Sequence, residues 1–246
     1  MPNRYSHLNQ LTCLILGIGI FIRLAGANEM IKVQFVQRPP YTFEGPAGTA
    51  EGLLPALVEP IFKRAGIELV WERTSLNRQW DALQNPNEMT CSIGWYRTPE
   101  REQLAKFTKP IYQDQAVVLL ARKQVPFTPN DSLEKLLEVK GLRILVKDKY
   151  SYGPRLDRLI ANHKSGVIVS DAENQRMARL LSADRADVMF AAKEEAEFLL
   201  ENSDPGAELQ ILNPNNMPTG EKRYIACNRL VSDELIQRIN QAINLK

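Results

Sequence analysis

Apolar residues along the chain switch repeatedly between the two-residue period of a half-buried strand and the longer period of an amphipathic helix. In the first part of the chain this pattern predicts strands at 31–36, 68–72 and 89–95 and helices at 53–65 and 77–84. Strands that alternate with helices are typical of a mostly parallel sheet with helices packed on its faces. The pattern therefore predicts one βαβαβ unit.

A further apolar strand is predicted at 116–121, and after it the same alternation begins again. The later elements are predicted as helix 132–137, strand 143–146, helix 153–161, strand 167–170, helix 172–182, strand 187–191, helix 193–201, strands 210–212 and 223–227, and helix 232–243. The chain therefore contains a second α/β unit, followed by a short tail.

Two successive units of this kind predict a two-lobed α/β protein in which each lobe is a mostly parallel sheet flanked by helices. We expect the tail to return to the first lobe, so that lobe 1 comprises 28–115 and 219–246 and lobe 2 comprises 116–218. Such sheets bind ligands at the carboxyl ends of their strands. Two facing lobes would form a cleft that closes on a solute.

The first 27 residues have the three parts of a secretory signal peptide. A polar segment with Arg4 precedes an apolar run at 11–22, and small residues follow at 25–27. A membrane anchor is the alternative, but a spanning helix needs about 20 apolar residues. Cys13 lies inside the run, so a lipid anchor at the cleavage site is not expected. We therefore expect cleavage after 1–27, a periplasmic protein and no membrane insertion after cleavage.

The charge of the chain argues against a nucleic-acid partner. The 31 basic residues nearly balance the 29 acidic ones, and the two charged residues of the predicted signal are both arginines, so the mature chain is close to neutral. A nucleic-acid surface needs a concentrated positive field. Metal binding also has little support, because His163 is the one histidine after the signal and no close Cys/His spacing occurs. No metal and no cofactor are expected.

Two cysteines follow the signal, and each lies in a predicted strand. These are Cys91 and Cys227, and disulfides persist in exported proteins. If the two strands are neighbours, a disulfide that contributes roughly 4 kcal/mol would join the end of the chain to its first half. Two buried free thiols are the alternative.

The segment 91–101 (CSIGWYRTPER) combines the end of a strand with the start of a helix. Thr98 is a favourable N-cap residue and Pro99 suits the first helical position. Arg101 then lies in the first turn, where the helix dipole opposes a cation by roughly 0.3 to 1 kcal/mol. A ligand carboxylate would compensate for this, because guanidinium matches two carboxylate oxygens. An ordinary salt bridge within the protein is the alternative.

Several segments, taken in order, resemble the family 3 extracellular solute-binding proteins, which are the amino-acid receptors of ABC importers. The segments are 38–43 (RPPYTF) with Gly48 and Gly52, 94–101 (GWYRTPER), 107–112 (FTKPIY) and 185–187 (RAD). The resemblance covers nearly the whole mature chain, and Thr-Pro-Glu-Arg followed by Phe-Thr-Lys-Pro is its most specific part. It implies a type II periplasmic-binding fold.

The resemblance also implies roles for individual residues. Arg101 matches the arginine that holds the α-carboxylate of the ligand, Gly94 and Tyr96 match positions that contact the ligand, and Tyr41 matches an aromatic residue of the cleft. In the second lobe, the segment 149–153 replaces a small Gly/Thr-rich turn. The predicted ligand-binding residues are Arg38, Tyr41, Gly94, Trp95, Tyr96, Thr98, Arg101, Tyr150, Ser151 and Tyr152.

The residues of segment 149–153 have two interpretations. Ser151 would donate a hydrogen bond to an anion, with Tyr150 and Tyr152 as walls of the cleft. The alternative is a capping serine flanked by two surface tyrosines.

Two departures from the family pattern affect the ligand that is expected. Ala192 stands where the family usually has an aspartate for the ligand ammonium, and Arg38 stands where an aromatic residue is frequent. A standard α-amino acid is therefore less favoured than another carboxylate-bearing or dipeptide-like ligand. Lys193, Glu194 and Glu195 follow directly and are candidates to substitute for the missing aspartate, but the favoured interpretation is that they form the solvated start of a helix.

These observations favour a monomeric binding protein for a small polar ligand, which delivers the ligand to the permease of an ABC importer. A dehydratase-like enzyme on the same scaffold is the first alternative. It would need a general acid or base, and the predicted cleft contains no carboxylate or histidine. We therefore expect no enzymatic activity. A ligand-sensing module of a signalling system is the second alternative, and the sequence does not separate it from import.

Overall fold

The computed structural model describes residues 29–85, 87–163 and 166–244. The predicted signal peptide at 1–27 lies outside these residues. The strands, in chain order, are β1 (Met30–Phe35), β2 (Phe43–Glu44), β3 (Ala50–Glu51), β4 (Glu68–Arg73), β5 (Thr90–Tyr96), β6 (Lys106–Phe107), β7 (Tyr112–Gln113), β8 (Val117–Arg122), β9 (Ile144–Lys147), β10 (Val167–Ser170), β11 (Val188–Ala192), β12 (Leu209–Leu212) and β13 (Lys222–Cys227).

The helices correspond closely to the apolar stripes in the sequence. They are α1 (Leu53–Ala65), α2 (Leu76–Gln84), α3 (Pro99–Leu104), α4 (Leu133–Leu137), α5 (Pro154–Asn162), α6 (Asn174–Ser182), α7 (Lys193–Glu201) and α8 (Asp233–Ala242). Polar side chains start several of them: Ser75, Thr98, Ser132 and Ser232 each accept a hydrogen bond from a backbone N–H of the first turn. These caps satisfy donors that have no partner within the helix.

The first sheet has the strand order β4-β1-β5-β13-β6, and β7 also pairs with β13. Strand β1 is parallel to β4 and β5, whereas β13 runs antiparallel to β5. The second sheet has the order β10-β9-β11-β8-β12, with β9, β10 and β11 parallel and β8 antiparallel to β11. The predicted two-lobed α/β fold is confirmed, and the lobe boundaries at 115/116 and 218/219 stay a prediction.

Each sheet is covered by apolar helix faces. On the first sheet, Val33 and Ile225 pack with Phe62 of α1 and Ile239 of α8, all fully buried. The second sheet has one core on each face, because alternate residues of a strand point to opposite sides. Leu119, Ile144 and Phe190 belong to one core, and Leu120, Leu145 and Met189 belong to the other. Burial of each large side chain contributes about 1.5 to 3 kcal/mol.

A disulfide joins Cys91 of β5 to Cys227 of β13. The two residues are direct antiparallel partners in the first sheet, and both are fully buried. The predicted disulfide is confirmed, and it ties the last strand of the chain to the first sheet.

Within the described residues, no helix combines the length and the apolar character that a bilayer crossing requires.

Candidate functional site

A cleft opens at the carboxyl ends of the parallel strands of both sheets, which is where α/β sheets bind ligands. The space between its walls, counted together with the open solvent at its mouth, is about 510 Å³. Six of the predicted residues line it: Arg38, Tyr41, Gly94, Trp95, Arg101 and Tyr150. The other lining residues were not predicted from the sequence, and they are Val36, Thr42, Leu54, Leu76, Gln79, Ile93, Lys147 and Arg223.

A wider depression adjoins this cleft and shares Arg101 and Tyr150 with it. The predicted residues Tyr96, Thr98 and Ser151 line the depression. Ser151 donates from its hydroxyl to Asp157 Oδ2 at 2.6 Å and accepts from Gly153 N at 3.2 Å. Its hydroxyl is therefore engaged in the turn that precedes α5.

Tyr152 belongs to the core of the second lobe. Its ring centroid lies 5.8 Å from that of Phe190, and its hydroxyl accepts from Lys147 N at 2.9 Å. Of the two predicted tyrosine walls, Tyr150 lines the cleft, while Tyr152 supports Tyr150 from behind at 5.0 Å between ring centroids.

Local structure fixes Arg101 at the start of α3. Thr98 Oγ1 accepts from Arg101 N at 3.3 Å, and Pro99 is the first helical residue, as the sequence predicts. Gly94, at the end of the preceding strand, has a φ of 85°, and a Cβ there would lie 3.0 Å from the side chain of Leu54. A glycine therefore suits this close approach at the wall of the cleft.

The guanidinium of Arg101 is buried, and its hydrogen bonds go to the main chain. The residue is 7% exposed, and it donates to Tyr96 O at 2.9 Å and to Lys149 O at 3.4 Å. It also lies 4.8 Å from the ring centroid of Trp95. Among the described residues, no acidic oxygen comes within 4.0 Å of it. Burial lowers the pKa of Arg101 below its ordinary value, because the charged form has lost its hydration.

The cap provides a test of how Arg101 is positioned. We expect Thr98→Ala to cost about 0.5 to 2 kcal/mol of stability, through loss of the N-cap bond, and also to weaken solute binding. Ser132→Ala is the matched control, because Ser132 caps α4 by the same bond, to Lys135 N at 3.2 Å. Urea unfolding should show similar losses for both variants, and calorimetry should show weaker binding for Thr98→Ala alone. Equal affinities would contradict this role of the cap.

Arg38 was expected as an additional cation of the cleft, but the protein neutralises it internally. Its Nε and Nη2 donate to the two oxygens of Glu195 at 2.7 and 2.6 Å, and Nη1 donates to the hydroxyl of Tyr150. Glu195 is fully buried, so the expectation of a solvated helix start is wrong for this residue. Burial opposes its charge, yet the attraction of Arg38 prevails and lowers the pKa of Glu195. The pair joins the loop after β1 to α7.

A second buried pair, which was not predicted from the sequence, lies beside it. Arg223 of β13 donates to the two oxygens of Asp114 at 2.5 and 2.8 Å and to Gly94 O at 3.0 Å. Arg223 also lies 3.9 Å from the ring centroid of Tyr41. Within the described chain, Arg38 and Arg223 of the cleft are therefore paired with carboxylates, and Arg101 is not.

The tyrosines of the cleft act as hydrogen-bond links between elements. Tyr41 is 1% exposed and donates to Glu194 Oε1 at 3.0 Å. Tyr96 donates to Asp114 Oδ2 at 2.5 Å. Burial raises the pKa of Tyr41 and of Tyr96 well above that of a free phenol, so both stay neutral. Glu194 also accepts from Tyr112 at 3.1 Å, so it too is engaged within the protein.

Two buried donors of the cleft have no partner. Trp95 Nε1 and Gln79 Nε2 are buried and make no hydrogen bond within the described part of the chain. An unsatisfied buried donor costs about 1 to 3 kcal/mol.

The described residues contain no cluster of three or more His, Cys, Asp or Glu side chains able to hold a metal ion.

The chain is similar to a known sequence family, to a named relative and to solved structures. A sequence model of the bacterial extracellular solute-binding proteins, family 3, matches residues 31–245. A probable histidine-binding protein of Campylobacter jejuni is 27% identical over 147 residues, which are 59% of this chain and 54% of that protein. The match thus spans just over half the length of that relative.

Solved structures of similar fold include binding proteins and a sensor domain. An ancestral arginine-binding protein bound to glutamine aligns with a TM-score of 0.70 and 21% identity, over 88% of this chain and 91% of that chain. An arginine-specific periplasmic binding protein of Salmonella typhimurium gives 0.67 and 19%, over 88% and 92%. A histidine kinase sensor domain gives 0.70 and 18%, over 87% and 88%. At these identities the likeness concerns the fold alone.

Proposed function

This chain belongs to the bacterial extracellular solute-binding proteins of family 3, and we propose that it captures a small carboxylate-bearing solute in the cleft, with Arg101 as the carboxylate-binding residue. The single observation that carries the proposal is the state of Arg101. Its guanidinium is buried and lacks an acidic partner among the described residues, while Arg38 and Arg223 in the same cleft have one each.

The energetics of burial support this role. Removing a cation from water is costly unless a negative group compensates for it. Arg101 donates to two main-chain carbonyls, which satisfy some of its five donors. Asp157 and Glu100 attract its charge from the adjoining depression, but among the described residues no carboxylate contacts it. A carboxylate offers both the charge and a second pair of acceptors.

The relatives support a carboxylate as the recognised group. The Campylobacter relative is named for histidine, and the similar structures are named for arginine or contain glutamine. All three amino acids carry an α-carboxylate.

We further propose that the protein acts in the periplasm after cleavage of 1–27, as a monomer, and delivers its solute to an ABC permease. Its relatives are binding proteins, which supports a role without catalysis. The similar kinase sensor domain makes sensing the second candidate. Co-purification of a permease with the ligand-loaded protein would support import, whereas capture of a kinase periplasmic domain would support sensing.

Substitution of Arg101 tests the proposal directly. The solute is first identified by mass spectrometry of the natively purified protein and by thermal shifts with amino acids and organic acids, since a ligand stabilises the native state by mass action. Calorimetry is then expected to show that Arg101→Ala weakens binding by about 2 to 5 kcal/mol, and that Arg101→Lys weakens it less, because lysine keeps the charge but loses the planar fork.

Arg179→Ala is the matched control, because Arg179 is 68% exposed and lies on α6, outside the residues that line the cleft. It should bind the solute as the wild type does. Equal affinities of the wild type and Arg101→Ala would remove Arg101 from the site.

A further inference from the structure

The charges of the cleft do not balance. Its lining contains four cationic side chains, from Arg38, Arg101, Lys147 and Arg223. Glu195 neutralises Arg38 and Asp114 neutralises Arg223. No carboxylate lines the cavity among the described residues, so Arg101 and Lys147 remain as two positive charges.

Lys147 is the last residue of β9, so it comes from the second sheet. Its ammonium group donates to Asn174 Oδ1 at 3.1 Å. In the described ranges, no acidic oxygen lies within 4.0 Å of this nitrogen. Glu195 attracts this ammonium group, but Arg38 already holds both oxygens of Glu195. Glu173 and Asp171 attract it as well, and both are exposed, so solvent screens them. Burial, reinforced by repulsion from Arg38, lowers the pKa of Lys147 to about 8.

Two buried hydrogen-bond donors beside the cleft also lack partners among the described residues. The indole N–H of Trp95 can only donate, and Trp95 is 4% exposed. Gln79 is 1% exposed, and its Nε2 also lacks a partner within the described chain. Both residues line the cavity together with Arg101 and Lys147. Neither nitrogen has accessible surface, so an acceptor of a solute would reach it only after these side chains move.

A ligand ammonium group would find no free carboxylate among the described residues of the cleft. Both oxygens of Glu195 are bound by Arg38, and Oε1 also accepts from Asn174 Nδ2 at 2.7 Å. Both oxygens of Asp114 are bound by Arg223, with Tyr96 as a further donor. The cations that already hold these carboxylates would repel another positive charge.

We infer that the solute is a small organic dicarboxylate without an ammonium group, with one carboxylate at Arg101 and the other at Lys147. This inference rests on the proposed function and narrows its solute class. Arg101 belongs to α3 beside the first sheet, and Lys147 belongs to the second sheet. A dicarboxylate between them would bridge the two lobes and favour the closed cleft.

Matched acids test the inference on the mature protein by calorimetry. The probes are succinate, glutarate, adipate and 2-oxoglutarate, with L-glutamate as the partner of 2-oxoglutarate that carries an ammonium group and 2-oxopentanoate as the partner that lacks the distal carboxylate. We expect at least one dicarboxylate to bind 10-fold or more tightly than L-glutamate and than 2-oxopentanoate. Absence of binding by all four dicarboxylates, or tighter binding of L-glutamate, would overturn the inference.

Variants of Lys147 separate its role from general electrostatics. Lys147→Met should weaken binding of the best dicarboxylate at least 10-fold more than it weakens binding of 2-oxopentanoate, and Lys147→Arg should retain most of the affinity. Lys123→Met is the control, because Lys123 is a 54% exposed lysine paired with Glu208 at 3.7 Å outside the cleft. Equal weakening in both methionine variants would overturn the assignment of Lys147.

The two proposals fail in distinguishable ways. If an amino acid binds more tightly than every dicarboxylate and its affinity depends on Arg101, the proposed function stands and the dicarboxylate inference is overturned. If no carboxylate-bearing solute binds and none co-purifies, both are overturned.

Discussion

Replacing Asp114 by asparagine is expected to lower the free energy of unfolding by about 3 to 5 kcal/mol, because it leaves Arg223 charged and unpaired inside the protein. Arg223 and Asp114 are 1% and 3% exposed. Asparagine has nearly the volume of aspartate but offers one acceptor oxygen instead of two. Its NH₂ group would then face the N–H donors of the Arg223 guanidinium. For a chain of this size the loss corresponds to a fall in melting temperature of roughly 6 to 20 °C. Urea unfolding and calorimetric scans would measure it.

Two further variants separate the buried charge from other causes. Asp204→Asn makes the same chemical change in an exposed pair with Arg179, at 3.9 Å, and should change stability little. In the double variant Asp114→Leu/Arg223→Met both charges are absent, and apolar replacement of a buried pair is often neutral. We therefore expect the double variant to recover much of the loss. A double variant as unstable as Asp114→Asn would show that an unpaired charge is not the cause.

The sequence predicted the regular elements well because their signals are local. The helix predicted at 53–65 is α1 with the same bounds, and the strand predicted at 116–121 is β8, displaced by one residue. The two-residue strands β6 and β7 were missed. Their pairing is fixed by β13, more than a hundred positions later in the chain, so no local period reveals them.

The site was predicted in part, and the omissions have a physical reason. Arg101 was chosen as a candidate because its position in the first turn and the resemblance of segment 94–101 to the family are both local signals. Glu195 and Asp114 were missed because their partners lie 157 and 109 positions away. Arg223 had a usable signal: it shares strand parity with Ile225 and Cys227, both buried, so a charged residue on that inward face indicates a buried ion pair.

The neutralisation of Arg38 changes how the cleft is understood. The sequence suggested a site that had lost an acid and gained a cation. In the structure that cation holds Glu195 across the cleft, and among the described lining residues Arg101 and Lys147 are the cations without a carboxylate partner. Electrostatic selectivity therefore depends on which cations lack internal partners, and a sequence alone does not specify those pairs.

Loss of the Cys91–Cys227 disulfide is expected to lower the free energy of unfolding by roughly 4 to 5 kcal/mol. The cross-link spans 136 positions, and in the chain-entropy account a long loop restricts the unfolded ensemble strongly. The native fold should persist, since the cysteines are paired residues of β5 and β13 within a continuous sheet. Urea unfolding of Cys91→Ala/Cys227→Ala against the oxidised wild type measures the loss.

The cross-link must be distinguished from the packing of the two side chains, because both cysteines are fully buried and alanine leaves a small gap at each. Wild-type protein that is unfolded, reduced and refolded under reductant keeps both sulfur atoms but lacks the bond, so it isolates the entropic contribution. It should lose nearly as much stability as the double variant, and its unfolding should depend more steeply on urea, because the unfolded chain is then less compact. Reductant should have no effect on the double variant. A difference of less than about 1 kcal/mol between oxidised and reduced wild type would contradict the chain-entropy account and would place the stabilisation in the packing of the first sheet.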